Sequence, residues 1–221
     1  MRGAFEVASA LRAGDARLAS TSDLARARDL IGHYCAATQA QSDAKRRMLA
    51  FIDAHPNDAH LRTLLEGHLT ASALVVDAGF ERALLTHHKK LNRWLQLGGH
   101  CDGDANLAAV ALREAFEESG IEGLAVLPSP IDLDIHPIPA RASEPEHLHY
   151  DTRFLVVAPR GAREVLSDES HELRWISQRE LDALDTDESV RRLFRLVFGG
   201  TEPGSVLQRD TDGTDRGRSS Y

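Results

Sequence analysis

Between residues 20 and 66 apolar side chains recur at helical spacing: Leu24, Ile31, Tyr34 and Cys35, then Met48, Phe51 and Ile52, then Leu61, Leu64 and Leu65. Pro56 and Asn57 interrupt the run, so the pattern predicts successive helices and an all-helical N-terminal extension over residues 1–66. The texture changes at His68. LTASALVVDA and ALLTHHK are short β-prone runs separated by Ala78, Gly79, Phe80 and Glu81, which reads as a hairpin. A loop, KLNRWLQLGGHCDGD, then leads into a helix from about Asn106 to Ser119, with Gly120 placed to end it in the left-handed conformation. Leu112, Ala115 and Phe116 form its expected packing side.

Three further strands are predicted: DLDIHPIPA, HLHYDTRFLVVAP and ELRWIS, the first two joined by the polar loop RASEPE. A last helix follows, in which Asp185 and Glu188 suit a capping box and Val190, Leu193, Phe194 and Val197 supply the buried stripe. Residues 200–221 are rich in Gly, Ser, Thr, Asp and Arg with almost no apolar anchor, and are expected to be a disordered tail. The fold class is therefore α/β or α+β, with a β-rich domain over residues 67–199.

Composition narrows the function classes. With 221 residues and 42% hydrophobic content the chain can bury a substantial core. A net charge of −8 argues against a nucleic-acid polymer as partner, because such proteins usually carry a basic surface. A small phosphorylated substrate remains compatible where a divalent cation offsets the repulsion. Cys35 and Cys101 are too few for a disulfide framework or a cysteine-rich zinc ribbon. The N-terminus lacks a signal-peptide core and no stretch approaches a membrane span, so a cytoplasmic protein with no membrane association is expected.

The chemistry concentrates on one helix. Glu114, Glu117 and Glu118 lie three and four residues apart, which puts them on one helical face. Carboxylates this close repel one another unless a cation binds, and hard oxygen ligands suit Mg²⁺ or Mn²⁺. A solvated acidic face is the plain alternative.

The neighbouring residues sharpen the choice. GHCDGDANLAAVALREAFEESGI resembles the Nudix box, a 23-residue loop-helix-loop in which Gly, five residues, Glu and seven residues precede Arg-Glu-apolar-x-Glu-Glu-x-Gly-apolar. Gly99, Arg113, Glu114, Ala115, Glu117, Glu118, Gly120 and Ile121 fall in register. The resemblance implies a Nudix-like mixed sheet between helices and a hydrolase that cleaves the diphosphate linkage of a nucleoside diphosphate joined to another group. It further implies Glu117 and Glu118 as metal ligands, Glu114 as a ligand or as the base for the attacking water, the Gly98 carbonyl as a main-chain ligand, and Arg113 as an orienting cation. The pattern departs at one position, where Ala105 stands in place of the first glutamate. Asp102 or Asp104 could compensate, or the chain could be a non-catalytic nucleotide-sensing module.

Outside the box, His147, His149, Asp151 and Arg153 alternate along one predicted strand and therefore share a face, which suits substrate phosphates or is simply a solvated strand face. Glu169, with Glu172 second, lies where some family members carry a distal catalytic acid. Cys101 reads as a free thiol, and Trp94 as a core residue that could alternatively stack on a base. Homodimer formation stays open.

Overall fold

The structure, a computed structural model, describes residues 7–89, 91–140, 145–167 and 170–199. Glu169 and the expected C-terminal tail lie outside the described residues. The helices are α1 (Leu24–His33), α2 (Gln39–Ala54), α3 (Leu107–Ser119) and α4 (Glu188–Phe198). The strands are β1 (Leu11–Arg12), β2 (Gly67–Val76), β3 (Arg82–His88), β4 (Arg93–Leu95), β5 (Leu97–His100), β6 (Ala125–Val126), β7 (Asp132–Ile138), β8 (His147–Val157) and β9 (Ser170–Ser177).

The parallel pair β2–β8 runs through the middle of a mixed sheet, with His68 opposite His149 and Val76 opposite Val157. β7 lies antiparallel along the other side of β8. The first half of β2 pairs with β5 and its end pairs with β3 in the expected hairpin. β3 in turn carries β4 and β9.

Because strand neighbours share a face, the sheet has two distinct sides. Leu69, Ala71, Ala73 and Val75 point with Phe154 and Val156 into a core built with α1, α2 and α3. Leu74, Val76, Leu155 and Val157 point to the other side, where Val190, Leu193, Phe194 and Val197 of α4 cover them. The same α4-side rows of β2 and β8 begin polar, with His68, Thr70 and Ser72 on β2 and His147, His149, Asp151 and Arg153 on β8.

Several expectations are corrected. The N-terminal segment is not wholly helical, since Leu11 and Arg12 pair with Val126 and Ala125 and extend the sheet. Leu61, Leu64 and Leu65 do not form a third helix. Ala59 O accepts from Leu69 N at 2.7 Å, which pins this stretch as turns against β2, and Leu65 is left exposed. The region read as a loop before α3 contains β4 and β5. The N-cap of α4 is Asp187, whose side chain accepts from Val190 N. Phe116 lies 49% exposed, so α3 packs through Leu107, Ala108, Val110, Ala111, Leu112 and Ala115 instead.

Candidate active site

α3 and β5 bring the glutamates against a pair of glycines. Helix packing on the sheet sets α3 alongside β5, and Gly120, at φ 62° in the left-handed region, ends the helix just past Glu118. Gly98 donates its N–H to Glu118 Oε1 at 3.0 Å. Gly99 gives Glu114 its room: a β-carbon there would lie 2.3 Å from Glu114 Oε2. At Gly98 a β-carbon would lie 2.4 Å from the Ser72 β-carbon, so β5 can pair with β2 here only through glycine.

Arg113 ties this corner together. Its Nη2 donates to Glu114 Oε1 at 2.9 Å and to His100 O at 2.7 Å, which fixes the first carboxylate relative to β5. Glu117 is the outermost of the three, 58% exposed and 3.9 Å from Arg113 Nε. Burial pushes the Glu114 carboxyl above the usual carboxylate range, while Arg113 works against that shift. Glu114 and Glu118 thus present carboxylate oxygens beside the Gly98–Gly99 backbone, while Glu117 stands further out on the same helix. That donor set fits a hard divalent cation.

Residues 67–197 match the sequence model of the NUDIX domain. The chain belongs to the Nudix family. It is a Nudix hydrolase and cleaves pyrophosphate linkages. Similar solved structures include an Ap4A hydrolase of C. elegans at 19% identity, covering 58% of this chain and 93% of that one with a TM-score of 0.48. The E. coli dihydroneopterin triphosphate pyrophosphohydrolase is 16% identical over 57% of this chain and 92% of its own, with a TM-score of 0.47. A NUDIX-family hydrolase of Clostridium perfringens is 22% identical over 57% and 93%, with a TM-score of 0.44. Among curated proteins none matches.

The departure from the Nudix pattern at Ala105 has a structural reason. Ala105 is fully buried, and its N–H donates to Thr21 O, a residue of the N-terminal segment. Asn106 Nδ2 donates to both Arg17 O and Ala19 O at 3.0 Å. The N-terminal segment therefore lies over the position, and a charged side chain there would be desolvated. Asp104 Oδ1 is taken up within the loop, where it accepts from Thr21 N at 3.1 Å and from Asn106 N at 2.9 Å. Asp102 is exposed, with φ 49°, and its charge acts on both Glu114 and Arg113.

The strand expected to face substrate divides in two. Arg153 is 1% exposed and bonds Asp151 Oδ2 at 2.9 Å, Asp134 Oδ2 at 2.9 Å and Ser189 Oγ at 3.2 Å, with Asp132 Oδ2 at 3.5 Å. Asp151 accepts in addition from Thr70 Oγ1 at 3.2 Å and Ser72 Oγ at 2.7 Å. Arg192 closes the network on Asp132 and Asp134, at 2.8 Å from each. Asp151 and Arg153 are corrected accordingly: their hydrogen-bonding capacity is spent inside the protein, where a buried ion must be paired to be tolerated. His147 and His149 instead join His68, His100 and His136, a grouping missed from sequence because four strands contribute to it.

Cys101 is a free, buried thiol whose pKa burial pushes up, which leaves it without nucleophilic character. Trp94 is 8% exposed within the α4-side core, with Arg174 5.0 Å above its ring. Glu172 pairs with Arg174 on an exposed stretch of β9. A separate hollow of about 420 Å³, lined by Tyr34, Gln41, Pro128 and Leu196 among others, shares no residue with the glutamate site.

Proposed function

We propose that the chain hydrolyses the diphosphate linkage of a nucleoside diphosphate joined to another group, in a reaction dependent on Mg²⁺ or Mn²⁺. One observation carries the reading: Glu114 and Glu118 both meet β5 at Gly98–Gly99, where the Gly98 N–H holds Glu118 and any larger residue at position 99 would displace Glu114. Glu114, Glu117 and Glu118, with the Gly98 carbonyl, would hold the cation. When bound, such a cation neutralises diphosphate charge and lowers the pKa of water for in-line attack at phosphorus.

The chain's own residues have distinct tasks. Glu118 is positioned by the Gly98 N–H, and Glu114 by Arg113, which in turn is anchored on the His100 carbonyl. Glu114, fixed by Arg113, would serve either as a further ligand or as the base that takes the proton of the attacking water. The net charge of −8 favours a small, cation-accompanied phosphate ester over a polyanion. A screen of dinucleotides, nucleotide sugars and nucleoside triphosphates for phosphate-bearing products, run with Mg²⁺, with Mn²⁺ and with EDTA, tests the reading. Turnover of a nucleoside diphosphate derivative that EDTA abolishes supports it, and metal-independent turnover or none with any of these compounds refutes it.

A further inference from the structure

On the α4 side of the sheet, beyond the half that α4 covers with apolar side chains, three strands aim histidines at one another. His68 on β2 stands opposite His149 on β8, and His100 on β5 stands opposite Thr70, one same-face position along β2 from His68. One possible ligand nitrogen from each of these three rings lies within 4.8 Å of the other two. The ring centroids of His68 and His100 are 5.0 Å apart, those of His68 and His149 4.9 Å, and those of His100 and His149 5.3 Å.

The middle ring carries the argument furthest. His68 is 3% exposed, and neither of its nitrogens makes a hydrogen bond. The Leu64 backbone lies near the ring as a weak acceptor that favours its protonation, short of full hydrogen-bond geometry. Buried imidazole nitrogens without a partner are rare and unfavourable, and here they sit among two further imidazoles. Two outer histidines have one nitrogen already committed. His147 Nδ1 lies 2.9 Å from Pro145 O, and His136 Nδ1 lies 3.0 Å from Asp134 Oδ2. His147 Nε2 in turn lies 3.3 Å from His149 Nε2 and steadies that ring from the side. Support of this kind from surrounding groups is what imidazole ligands of metals usually receive.

We propose that His68, His100 and His149 form a second metal centre, for a zinc-type transition-metal dication, with one coordination position open to water or to a substrate oxygen. Imidazole nitrogen selects such ions over Mg²⁺ and Ca²⁺, which prefer oxygen. Zn–N bonds of about 2.0–2.1 Å require nitrogens about 3.3 Å apart, a modest contraction from the spacing present. Burial and then the neighbouring rings push His68 down to about 4 and His149 down to about 2. Burial therefore favours in His68 and His149 the neutral form that ligation of a metal requires.

The centre is separate from the glutamate site. β5 contributes to both, with His100 on the α4 side and Gly99 turned to Glu114 on the α3 side. The two can therefore be tested apart. The full chain, without a polyhistidine tag and stripped with EDTA, is titrated with Zn²⁺ by calorimetry in millimolar Mg²⁺, and in parallel with Co²⁺ while visible absorption is read. One equivalent of Zn²⁺ that Mg²⁺ does not displace, together with Co²⁺ ligand-field bands, is expected. The Glu114→Gln/Glu118→Gln variant should keep both signals, whereas His149→Ala should bind Zn²⁺ about 100-fold more weakly or not at all. His100→Ala, at the less buried rim, repeats the test should the loss of His149 perturb folding as judged by circular dichroism. Zn²⁺ affinity that is unchanged in folded His100→Ala and His149→Ala, or that vanishes with the two glutamates, overturns the proposal. Failure of the phosphate-product screen with these results intact would count against the proposed hydrolysis alone.

Discussion

Gly99→Ala should separate activity from stability in a way that depends on one contact. The new β-carbon would stand 2.3 Å from Glu114 Oε2 and 2.8 Å from its Cδ, where ordinary contacts begin at 3.4 Å. The carboxylate must therefore retreat by about 1 Å, taking it away from its bond with Arg113. Misplacing a catalytic group by that much costs on the order of 10²-fold, or about 2.7 kcal/mol at the transition state. The stability balance is far smaller. Restricting the unfolded chain contributes about 0.4–1 kcal/mol in favour, and weakening a half-buried ion pair removes up to about 1 kcal/mol. We expect kcat/KM on a nucleoside diphosphate derivative to fall about 100-fold while Tm moves by less than about 4 °C. Adding Glu114→Asp shortens the displaced side chain, so the double variant should lose less than the product of the two single losses. A Gly99→Ala protein with more than half the wild-type kcat/KM would refute the claim that Glu114 must sit against Gly99. A Tm drop beyond 10 °C, on the order of 3 kcal/mol or more, would refute the claim that only a side-chain tip has to move.

Three further outcomes follow from the same geometry. Glu118→Gln should lower kcat by on the order of 10³-fold with the fold retained, and steady-state kinetics with a circular dichroism control checks it. Asp104→Ala removes the acceptor for the Thr21 and Asn106 N–H groups, so urea denaturation should show a loss of about 1–3 kcal/mol, with faster hydrogen exchange at Thr21. For Asp134 burial raises the pKa, but the His136 ring, Arg153 and Arg192 outweigh it and hold the carboxyl far below its ordinary 3.8. The sign is that of a depressed carboxylate: its contribution is complete above pH 3.8 and is lost as pH falls below it. Stability measured between pH 5 and 3 should therefore drop less steeply in Asp134→Asn than in wild type.

What was legible in the sequence was local and periodic. The α3 boundaries followed from its own residues, because Gly120 could occupy the left-handed position that ends the helix. The placement of the glutamates was legible for the same reason, since helical spacing dictates it. β4 and β5 were not, because they are short and the Gly98–Gly99 pair erases the alternation that marks a strand. The alternation of His147, His149, Asp151 and Arg153 was correctly seen as one face, yet alternation alone could not say what lay opposite. Arg192 and Asp134 close around Arg153, whereas His68 and His100 close around His149, from elements distant in the chain. The third N-terminal helix failed because a spacing of leucines is necessary for an amphipathic helix but does not guarantee a surface to receive it.

The hydrogen bonds from Ala105 and Asn106 to the N-terminal segment mean that the limit of family likeness is not the limit of the folding unit. Residues 67–197 carry the recognisable sequence, but Ile31, Met48 and Ile52 are packed into the same core as Leu69 and Leu107. A chain trimmed to the recognisable part would leave Ala105 and the start of α3 uncovered and the Asn106 amide without its two carbonyl acceptors. The N-terminal segment thus helps to anchor the loop that leads into α3, the helix that carries the glutamates.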